Sequence, residues 1–495
     1  MNPVPFSAAV LALVLQSLVG AAPQAQQTLS STLAPRERLA QDITALLESP
    51  GVSRGTWGIS VHSLDKSETL FERNPRALMV PASVAKLAAL AVTADVVGWD
   101  FAFETVVRVT GPVRGGVLRG DLIVAGSGDP SIGGRAGDDF QPWIEAIKRA
   151  GITRIDGRII GDDDAVDEPR PGAMWAWDDL GYTSGALFGA LNYGENRLLI
   201  TVAPGDGPGA PTKLSVPFGA EDRSLVNRSI TGLPRSEAFL WPEQRPGEPG
   251  LTIAGSLPAG SASSRLFVSA GDPTRWFVGV LRRELQRAGI EVTGGSYDID
   301  DLMPKPDSGA APVIYVHRSR PLAELAQPML KDSINLYAEA VLRMSTGRMG
   351  GRTNDDALAA LKARLSAWGL QPDGLQVVDG SGLSRRDGIA ADTLVAVLTR
   401  MYDSTLTSPW MTGLPIAGRD GSLRNRLRSG AAENNVRAKT GTMSNIRSLA
   451  GYVYTRDHEA LAFVIMVNNF EGTGEQAQGV IDAIAERLAV FSRSE

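Results

Sequence analysis

The chain has 495 residues, with 49 Lys or Arg against 55 Asp or Glu, and its formal net charge is −6. It contains no cysteine and only three histidines, which excludes disulfides and thiolate nucleophiles and disfavours a histidine-built metal site. The acidic balance disfavours nucleic acid or anionic lipid as the main partner, because both attract clustered cations. The length is enough for about three domains.

The N-terminal segment differs from the rest of the chain. Residues 6–18 are almost wholly apolar and end at a group of small residues, 19–22, a pattern typical of a secretory signal peptide. The apolar run is shorter than the roughly 20 residues that span a bilayer. We therefore predict a signal peptide over residues 1–21 and no transmembrane anchor after its cleavage. No Lys or Arg precedes Phe6, and a retained, uncleaved anchor is the alternative.

Periodic patterns predict the first elements of the mature chain. Apolar residues at helical spacing predict helices over 35–48 and 81–97, and an alternating pattern predicts a β-hairpin over 55–72. Residues 99–306 are rich in Gly and Pro with short apolar runs, which predicts a mostly β region with one helix over 273–288. We expect this region to form two subdomains.

Helical spacing returns after residue 306, and the chain ends in two strands and a helix. The predicted elements cover residues 322–344, 355–368, 391–402, 448–454, 460–467 and 475–491. The strand patterns at the two ends of the chain resemble each other, so we expect residues 30–98 and 307–495 to form one discontinuous domain into which 99–306 is inserted. The predicted fold class is α/β (α+β), an antiparallel sheet flanked by helices.

Nucleophilic catalysis without cysteine or a histidine triad needs another base. A Lys three residues after a Ser on a helix can take the hydroxyl proton, because both side chains lie on one face. Two such pairs occur, Ser63 with Lys66 and Ser83 with Lys86. The first lies in a polar turn, where the lysine is solvated, and we discount it. The second opens an apolar helix, where burial lowers the pKa of a lysine.

Two further short motifs follow this pair. Ser333 and Asn335 lie within a helical pattern, and residues two apart on a helix do not share a face. Both side chains can therefore face one cleft only at a helix end or a loop entry. Residues 439–442 read Lys-Thr-Gly-Thr and lie just before the C-terminal strands. There Gly441 is expected to let a substrate backbone approach an edge strand closely.

In this order, Ser-x-x-Lys, Ser-x-Asn and Lys-Thr-Gly form the combination found in penicillin-binding proteins and serine β-lactamases. The chain resembles one branch in particular, the D-alanyl-D-alanine carboxypeptidase/endopeptidase family of class C low-molecular-mass penicillin-binding proteins. The long separation between Lys86 and Ser333 is where that family places its inserted domains. The resemblance extends over residues 57–468. Its matching segments are 81–87, 126–130, 177–180, 333–339, 379–384 and 419–423.

The resemblance implies the penicillin-binding/β-lactamase-like transpeptidase fold and a serine peptidase of the periplasm or cell envelope. Its substrates would be peptidoglycan peptides, its inhibitors β-lactam antibiotics, and no metal or cofactor is expected. Ser83 would attack the carbonyl between two D-alanines and form an acyl-enzyme, with Lys86 as the base. Ser333 would relay a proton to the departing amine, and Asn335 would hold both the substrate amide and Lys86.

The Lys-Thr-Gly-Thr segment would complete the site implied by the resemblance. Lys439 would be the cation that keeps Lys86 neutral. Thr440 and Thr442, on either side of Gly441, would bind the terminal carboxylate of the substrate. The backbone N–H groups of Ser83 and Thr442 would form the oxyanion hole.

Some positions depart from the family pattern, and two alternatives remain. Val84 stands where Asn is frequent, and residues 385–387 and 181–196 match only loosely. One alternative is a β-lactamase or esterase of the same fold, which the inserted region disfavours. The other is a non-catalytic protein that binds or scaffolds the cell wall through that region. The three histidines fit no triad, and we interpret them as structural; they are His62, His317 and His458.

Overall fold

The computed structural model of the chain describes residues 33–135, 139–168, 170–216, 224–245, 250–347 and 353–494. The predicted signal peptide, residues 1–21, lies outside the described residues. Within these ranges, no helix is both long enough and apolar enough to cross a bilayer.

The described residues form helices and strands throughout their length. The helices are α1 (Pro35–Leu47), α2 (Ala85–Val97), α3 (Gln141–Arg149), α4 (Pro273–Arg287), α5 (Leu322–Lys331), α6 (Asn335–Arg343), α7 (Asn354–Ala367), α8 (Ala391–Tyr402), α9 (Thr407–Gly413) and α10 (Gly474–Ala489). The strands are β1 (Thr56–Ser63), β2 (Glu68–Arg73), β3 (Glu104–Val109), β4 (Val113–Arg114), β5 (Val117–Leu118), β6 (Leu122–Ala125), β7 (Arg154–Ile155), β8 (Ile159–Asp162), β9 (Arg197–Ala203), β10 (Lys213–Ser215), β11 (Leu225–Gly232), β12 (Phe239–Gln244), β13 (Leu251–Pro258), β14 (Ser264–Ser269), β15 (Glu291–Val292), β16 (Ser296–Asp298), β17 (Val313–Arg318), β18 (Leu375–Gln376), β19 (Gly388–Ile389), β20 (Arg437–Met443), β21 (Ile446–Tyr454) and β22 (Ala460–Asn468).

A five-stranded antiparallel sheet joins the two ends of the chain. Its strand order is β2-β1-β22-β21-β20, and β1 pairs with β22 along its whole length. Alternate residues of β22 enter two separate cores, because successive side chains point to opposite faces. Phe463 and Ile465 pack in the core that contains α1 and α10, whereas Val464 and Met466 pack in the core around α2. The prediction of an antiparallel sheet flanked by helices is confirmed.

The residues between α2 and α5 form two further folded units. The first contains the sheets β16-β8-β6-β3-β17 and β15-β7-β5-β4, with helices α3 and α4 packed around the buried Trp143. The sequence predicted only one helix between residues 99 and 306, which is α4. Helix α3 is a second one, so that prediction was wrong. Its buried apolar residues, which include Trp143, Ile144 and Ile147, cover little more than one turn, which is too short for helical periodicity to stand out.

The second unit lies between β8 and α4 in the chain. It consists of two three-stranded sheets, β10-β9-β14 and β11-β13-β12, and has a small core of its own that includes Ile200 and Ile253. We propose that these two units are the two subdomains expected in residues 99–306. Strand β17 begins at Val313, beyond that boundary, yet it pairs with β3. We therefore place the end of the inserted region near residue 318.

Candidate active site

Ser83 lies in a single 3₁₀ turn, Ala82–Val84, directly before helix α2. Ala82 has a φ of +49°, in the left-handed region that costs a non-glycine residue about 1 kcal/mol. Two glycines let neighbouring segments pack closely on this turn. A Cβ on Gly382 would lie 2.0 Å from the Ala82 carbonyl oxygen, and one on Gly441 would lie 3.1 Å from Ala82 Cβ. Ser83 itself is half-buried and faces a cleft.

Lys86 lies one helical turn after Ser83 and is completely buried. Its Nζ donates to Ser83 Oγ (2.9 Å), to Asn335 Oδ1 (2.7 Å) and to the carbonyl oxygen of Ser381 (2.6 Å). Burial lowers the pKa of Lys86 from 10.5 to about 7, and nearby carboxylates only partly oppose this effect. A large share of this amine is therefore unprotonated at neutral pH and able to accept the serine proton.

Three buried carboxyl groups lie near this lysine, Glu339 on α6 and Asp379 and Asp387 in the loop between β18 and β19. Glu339 Oε1 accepts the N–H of Ser381 at 2.9 Å. Burial raises the pKa of Glu339 to about 7 and that of Asp387 to about 10. Sequence reasoning assigned no role to these residues. Two signals were available: the matching segments 333–339 and 379–384 contain Glu339 and Asp379, and Glu339 lies four residues after Asn335 on a predicted helix.

Ser333 and Asn335 lie where helix α5 has ended and α6 begins. Ser333 has a φ of +61°, and this left-handed residue turns the chain so that both side chains line the same cleft. The break in the helix that this arrangement requires is the one expected from the sequence. Lys439 Nζ donates to Ser333 Oγ at 2.9 Å. Asn335 Nδ2 donates to the carbonyl oxygen of Ser184, in the inserted region, at 2.8 Å.

Strand β20 brings the Lys-Thr-Gly-Thr segment to the same place. Lys439 is completely buried, and burial lowers its pKa well below the usual range, with a further lowering by the charge of Lys86. Since both lysine pKa values are depressed, the pair does not hold two full charges near neutral pH. Thr442 is exposed to the cleft, whereas Thr440 is buried and its Oγ1 donates to Ser422 Oγ at 2.7 Å.

Gly441 is buried and packs against protein. A Cβ at this position would lie 2.0 Å from Ser448 Oγ and 2.8 Å from the carbonyl oxygen of Pro81. Both atoms belong to the segments that hold the Ser83 turn in place. The packing of β20 on that turn is thus one reason for a glycine here, beside the approach of a substrate backbone expected from the sequence.

An open cleft of about 530 Å³ joins these groups. The inserted region forms part of its wall and is tied to the loop after β18. Trp175 Nε1 donates to Asp379 Oδ2 at 2.8 Å, and Ser384 Oγ donates to the carbonyl oxygen of Ala173 at 2.7 Å. The residues that line the cleft are Ser83, Ala176, Asp178, Asp179, Ser184, Ser333, Asn335, Gly382, Leu383, Arg385, Thr442, Met443, Ser444 and Arg447.

The groups discounted from the sequence lie outside this cleft. Lys66 is exposed, and Ser63 is buried, so that pair offers no nucleophile with a desolvated base. His62 lies in β1, His317 in β17 and His458 in an exposed turn. None of the three histidines lines the cleft. The motif residues, by contrast, converge on one place from three separate segments.

Comparison with known protein families and sequences places the chain among peptidases. The family model described as D-Ala-D-Ala carboxypeptidase 3 (S13) matches residues 39–490. The chain is 31% identical over 494 residues to a D-alanyl-D-alanine carboxypeptidase from an Actinomadura species, which covers 97% of this chain and 89% of that protein. It is 26% identical to the D-alanyl-D-alanine carboxypeptidase DacB of Haemophilus influenzae, over 84% of this chain and 86% of that one.

Solved structures share its fold. The crystal structure of penicillin binding protein 4 (dacB) from Haemophilus influenzae superposes with a TM-score of 0.79 at 24% identity, covering 90% of this chain and 98% of that one. The same protein complexed with a novel β-lactam gives a TM-score of 0.72 at 22% identity, with the same coverage. The penicillin-binding fold predicted from the sequence is confirmed.

Proposed function

Because the chain belongs to the D-Ala-D-Ala carboxypeptidase 3 (S13) family, we propose that it hydrolyses the terminal D-Ala-D-Ala bond of peptidoglycan stem peptides through an acyl-enzyme on Ser83. The enzyme class, a penicillin-binding D-Ala-D-Ala carboxypeptidase, is that of the family. The observation that carries the residue assignment is the hydrogen bond of 2.9 Å between Lys86 Nζ and Ser83 Oγ. It joins a nucleophile at the cleft to a fully buried base.

In the acylation step, Ser83 Oγ attacks the carbonyl carbon and its proton passes to Lys86 Nζ. The backbone N–H groups of Ser83 and Thr442 bind the oxyanion, where the loss of one such donor costs about 3 kcal/mol. The bond from the carbonyl carbon to the nitrogen of the departing D-alanine then breaks. Ser333 Oγ, which accepts a hydrogen bond from Lys439 Nζ at 2.9 Å, relays to that nitrogen the proton that Lys86 took from Ser83.

The substrate is held by groups that the motif supplies. Thr442 faces the cleft and is our candidate for the terminal carboxylate. Thr440 joins it only if its hydroxyl leaves Ser422 Oγ, to which it now donates. Asn335 accepts from Lys86 through Oδ1 and gives one N–H of Nδ2 to the Ser184 carbonyl, and the second N–H of Nδ2 can donate to the substrate amide.

Water completes the reaction by attacking the acyl-enzyme carbonyl, which releases the shortened peptide and restores the Ser83 hydroxyl. A β-lactam carries a reactive amide in place of the D-Ala-D-Ala bond and acylates the same oxygen. Its ring keeps the leaving nitrogen attached to the acyl group. We therefore expect β-lactams to inhibit the enzyme.

A fluorescent penicillin tests this proposal. We expect stable labelling of the wild type and of Lys66→Ala, whose lysine is exposed in the discounted pair, and no labelling of Ser83→Ala. Rapid turnover of the drug would favour the β-lactamase alternative. No labelling of the wild type would favour the non-catalytic wall-binding alternative.

We propose endopeptidase action, the cleavage of cross-linked peptides, as a second activity of the same site. Cleavage of a cross-link and removal of a terminal D-alanine use the same serine and differ only in which D-Ala bond enters the cleft. Mass analysis of digests of pentapeptide and of cross-linked muropeptides distinguishes them. Release of D-alanine alone would limit the enzyme to carboxypeptidase action.

We also propose that the chain is exported and acts in the periplasm or cell envelope. The support is the apolar N-terminal segment, residues 6–18, with small residues after it, together with a substrate that lies outside the inner membrane. N-terminal sequencing of the mature protein is expected to show a start near residue 22. A mature protein that keeps residues 1–21 would favour the uncleaved anchor.

A further inference from the structure

Glu339 is connected to two of the groups that hold Lys86. It lies four residues after Asn335 on helix α6, so the two side chains share one face of that helix. Asn335 Oδ1 accepts one hydrogen bond from Lys86, at 2.7 Å. Glu339 Oε1 accepts the N–H of Ser381 at 2.9 Å, and the carbonyl oxygen of Ser381 accepts another hydrogen bond from Lys86, at 2.6 Å. One helix face thus fixes two of the three partners of the lysine.

We propose that Glu339 is a positioning residue for the reaction, holding the Ser381 carbonyl against Lys86 and placing negative charge beneath that lysine. The inference rests on the proposed function, because it takes Lys86 as the base for Ser83. Glu339 does not line the substrate cleft. It therefore acts through Lys86 and not on the substrate.

The burial of Glu339 calls for a reason beyond packing. The residue is 5% exposed, and removing a carboxylate from water costs several kcal/mol unless its partners compensate. The N–H groups of Gly380 and Ser381 supply two hydrogen bonds, but Arg343, its ion-pair partner in the described part of the chain, is 4.0 Å away. A neutral acceptor such as glutamine would make the same backbone contacts at a lower desolvation cost. What glutamate adds is its charge.

Charged groups surround Glu339 on several elements. Arg343 lies on the same helix and pairs with Asp167 of the inserted region at 3.3 Å. Asp379 and Asp387 lie in the loop after β18. Lys86 lies on α2, and Lys439 of β20 lies beyond it. Asp387 is neutral near pH 7, because burial raises its pKa to about 10. Burial raises the pKa of Glu339 to about 7, so Glu339 gains charge in the pH range in which Lys86 loses its proton.

A second cleft gives Glu339 a route to solvent. Its volume is about 310 Å³, and Glu339, Arg343 and Asp379 lie in its wall, with Glu168, Arg170 and Asp355 among the groups across it. It shares no lining residue with the substrate cleft. Glu339 can thus exchange protons with water while the substrate occupies the site.

The sign of the electrostatic effect follows from this arrangement. An ionised Glu339 favours the protonated form of Lys86 and so raises its pKa against the effect of burial. In Glu339→Gln the amide oxygen still accepts the backbone N–H groups, but the charge is gone. Lys86 then loses its proton at lower pH, and the rise of the acylation rate with pH moves toward acid by about one unit.

Glu339→Asp separates the two contributions. It keeps the charge, but the side chain is one carbon shorter and withdraws from the N–H groups of Gly380 and Ser381. We expect the midpoint of its pH profile to stay near that of the wild type. Its maximal rate should fall by about tenfold, because small displacements of catalytic groups cost one to two orders of magnitude in rate.

The experiment measures acylation by a fluorescent penicillin across the pH range for the wild type and both variants, with thermal unfolding to confirm that each is folded. Glu195→Gln is a matched control. Glu195 is also a buried carboxylate, 2% exposed, and is paired with Arg135 and Arg197 in the inserted region. The control is expected to lose thermal stability without a shift of the midpoint.

A folded Glu339→Gln variant with the wild-type midpoint would overturn the inference. So would equal loss of rate in both variants with no shift, since that result describes a purely structural residue. If Glu339→Gln does not fold, Glu339→Asp decides alone, and a wild-type maximal rate in that variant overturns the positioning role. A wild type that is not acylated at any pH would instead refute the proposed function.

Discussion

Gly441→Ala tests whether the packing of strand β20 on the Ser83 turn places the catalytic groups. The added Cβ would lie 2.0 Å from Ser448 Oγ and 2.8 Å from the carbonyl oxygen of Pro81. Ser448 Oγ donates to that same carbonyl oxygen at 2.7 Å. The methyl group would therefore displace both partners of a buried hydrogen bond.

The loss of stability expected for Gly441→Ala can be calculated from these contacts. Overpacking of a buried site costs about 1–3 kcal/mol, and a buried carbonyl left without its donor costs about 1–3 kcal/mol more. We expect Gly441→Ala to lower the free energy of unfolding by about 2–6 kcal/mol in total. An outward shift of β20 also carries the Thr442 N–H away from that of Ser83. Acylation by penicillin should then slow by about a hundredfold or more, as when an oxyanion donor is lost.

The assay combines denaturant unfolding with the rate of labelling by a fluorescent penicillin. Ser448→Ala is the partner variant, because it removes the nearest clashing atom while it loses one hydrogen bond. The double variant is expected to be more stable than the sum of the two single effects by about 1 kcal/mol or more. Wild-type stability and rate in Gly441→Ala would refute the reasoning. A double variant that is no better than the sum would place the role of this glycine on the substrate side.

Three further predictions concern the base and its surroundings. The acylation rate of the wild type should rise with pH around a midpoint near 7, because burial lowers the pKa of Lys86 to about 7 and only the neutral amine accepts a proton. About one tenth of the maximal rate should remain one pH unit below that midpoint, and a flat profile from about pH 5 to 9 would contradict this assignment. Asp387→Asn should leave the midpoint unchanged, because burial raises the pKa of Asp387 to about 10 and the group is already neutral; a shift toward acid would show that it carries charge. Trp175→Phe removes the donor that holds Asp379 at 2.8 Å, and we expect a loss of about 1 kcal/mol in unfolding free energy with several-fold slower labelling, whereas an unchanged rate would separate the inserted region from catalysis.

Local spacing accounts for what the sequence predicted correctly. A serine and a lysine three residues apart on an apolar helix must share a face, and the structure joins Ser83 and Lys86 by a hydrogen bond. The same rule required a helix break at Ser333, which its φ of +61° provides. The similar strand patterns near the two chain ends led to the prediction of one sheet, in which β1 and β22 are each buried over most of their length.

Contacts between distant segments account for what it did not predict. Lys86 and the Ser381 carbonyl are 295 positions apart in the chain, and no periodicity relates them. The carboxyl groups near Lys86 were likewise given no role, because the position of Glu339 four residues after Asn335 does not by itself predict a contact with Lys86. The packing role of Gly441 was not predicted, for a similar reason. Its close neighbours, Pro81 and Ser448, become neighbours only when the sheet has formed.

The inserted region contacts the catalytic groups that we propose. The side-chain amide of Asn335 can face Lys86 with either its oxygen or its nitrogen, and only the oxygen can accept the hydrogen bond that the ammonium donates. The carbonyl oxygen of Ser184, which the inserted region supplies, accepts from Asn335 Nδ2 at 2.8 Å. That contact leaves Oδ1 turned toward Lys86. Without the Ser184 carbonyl, the Asn335 amide would be free to rotate. Asn335 Nδ2, a donor, would then face Lys86 Nζ, which is also a donor. The segment that carries Ser184 therefore fixes the orientation of a residue on which Lys86 depends.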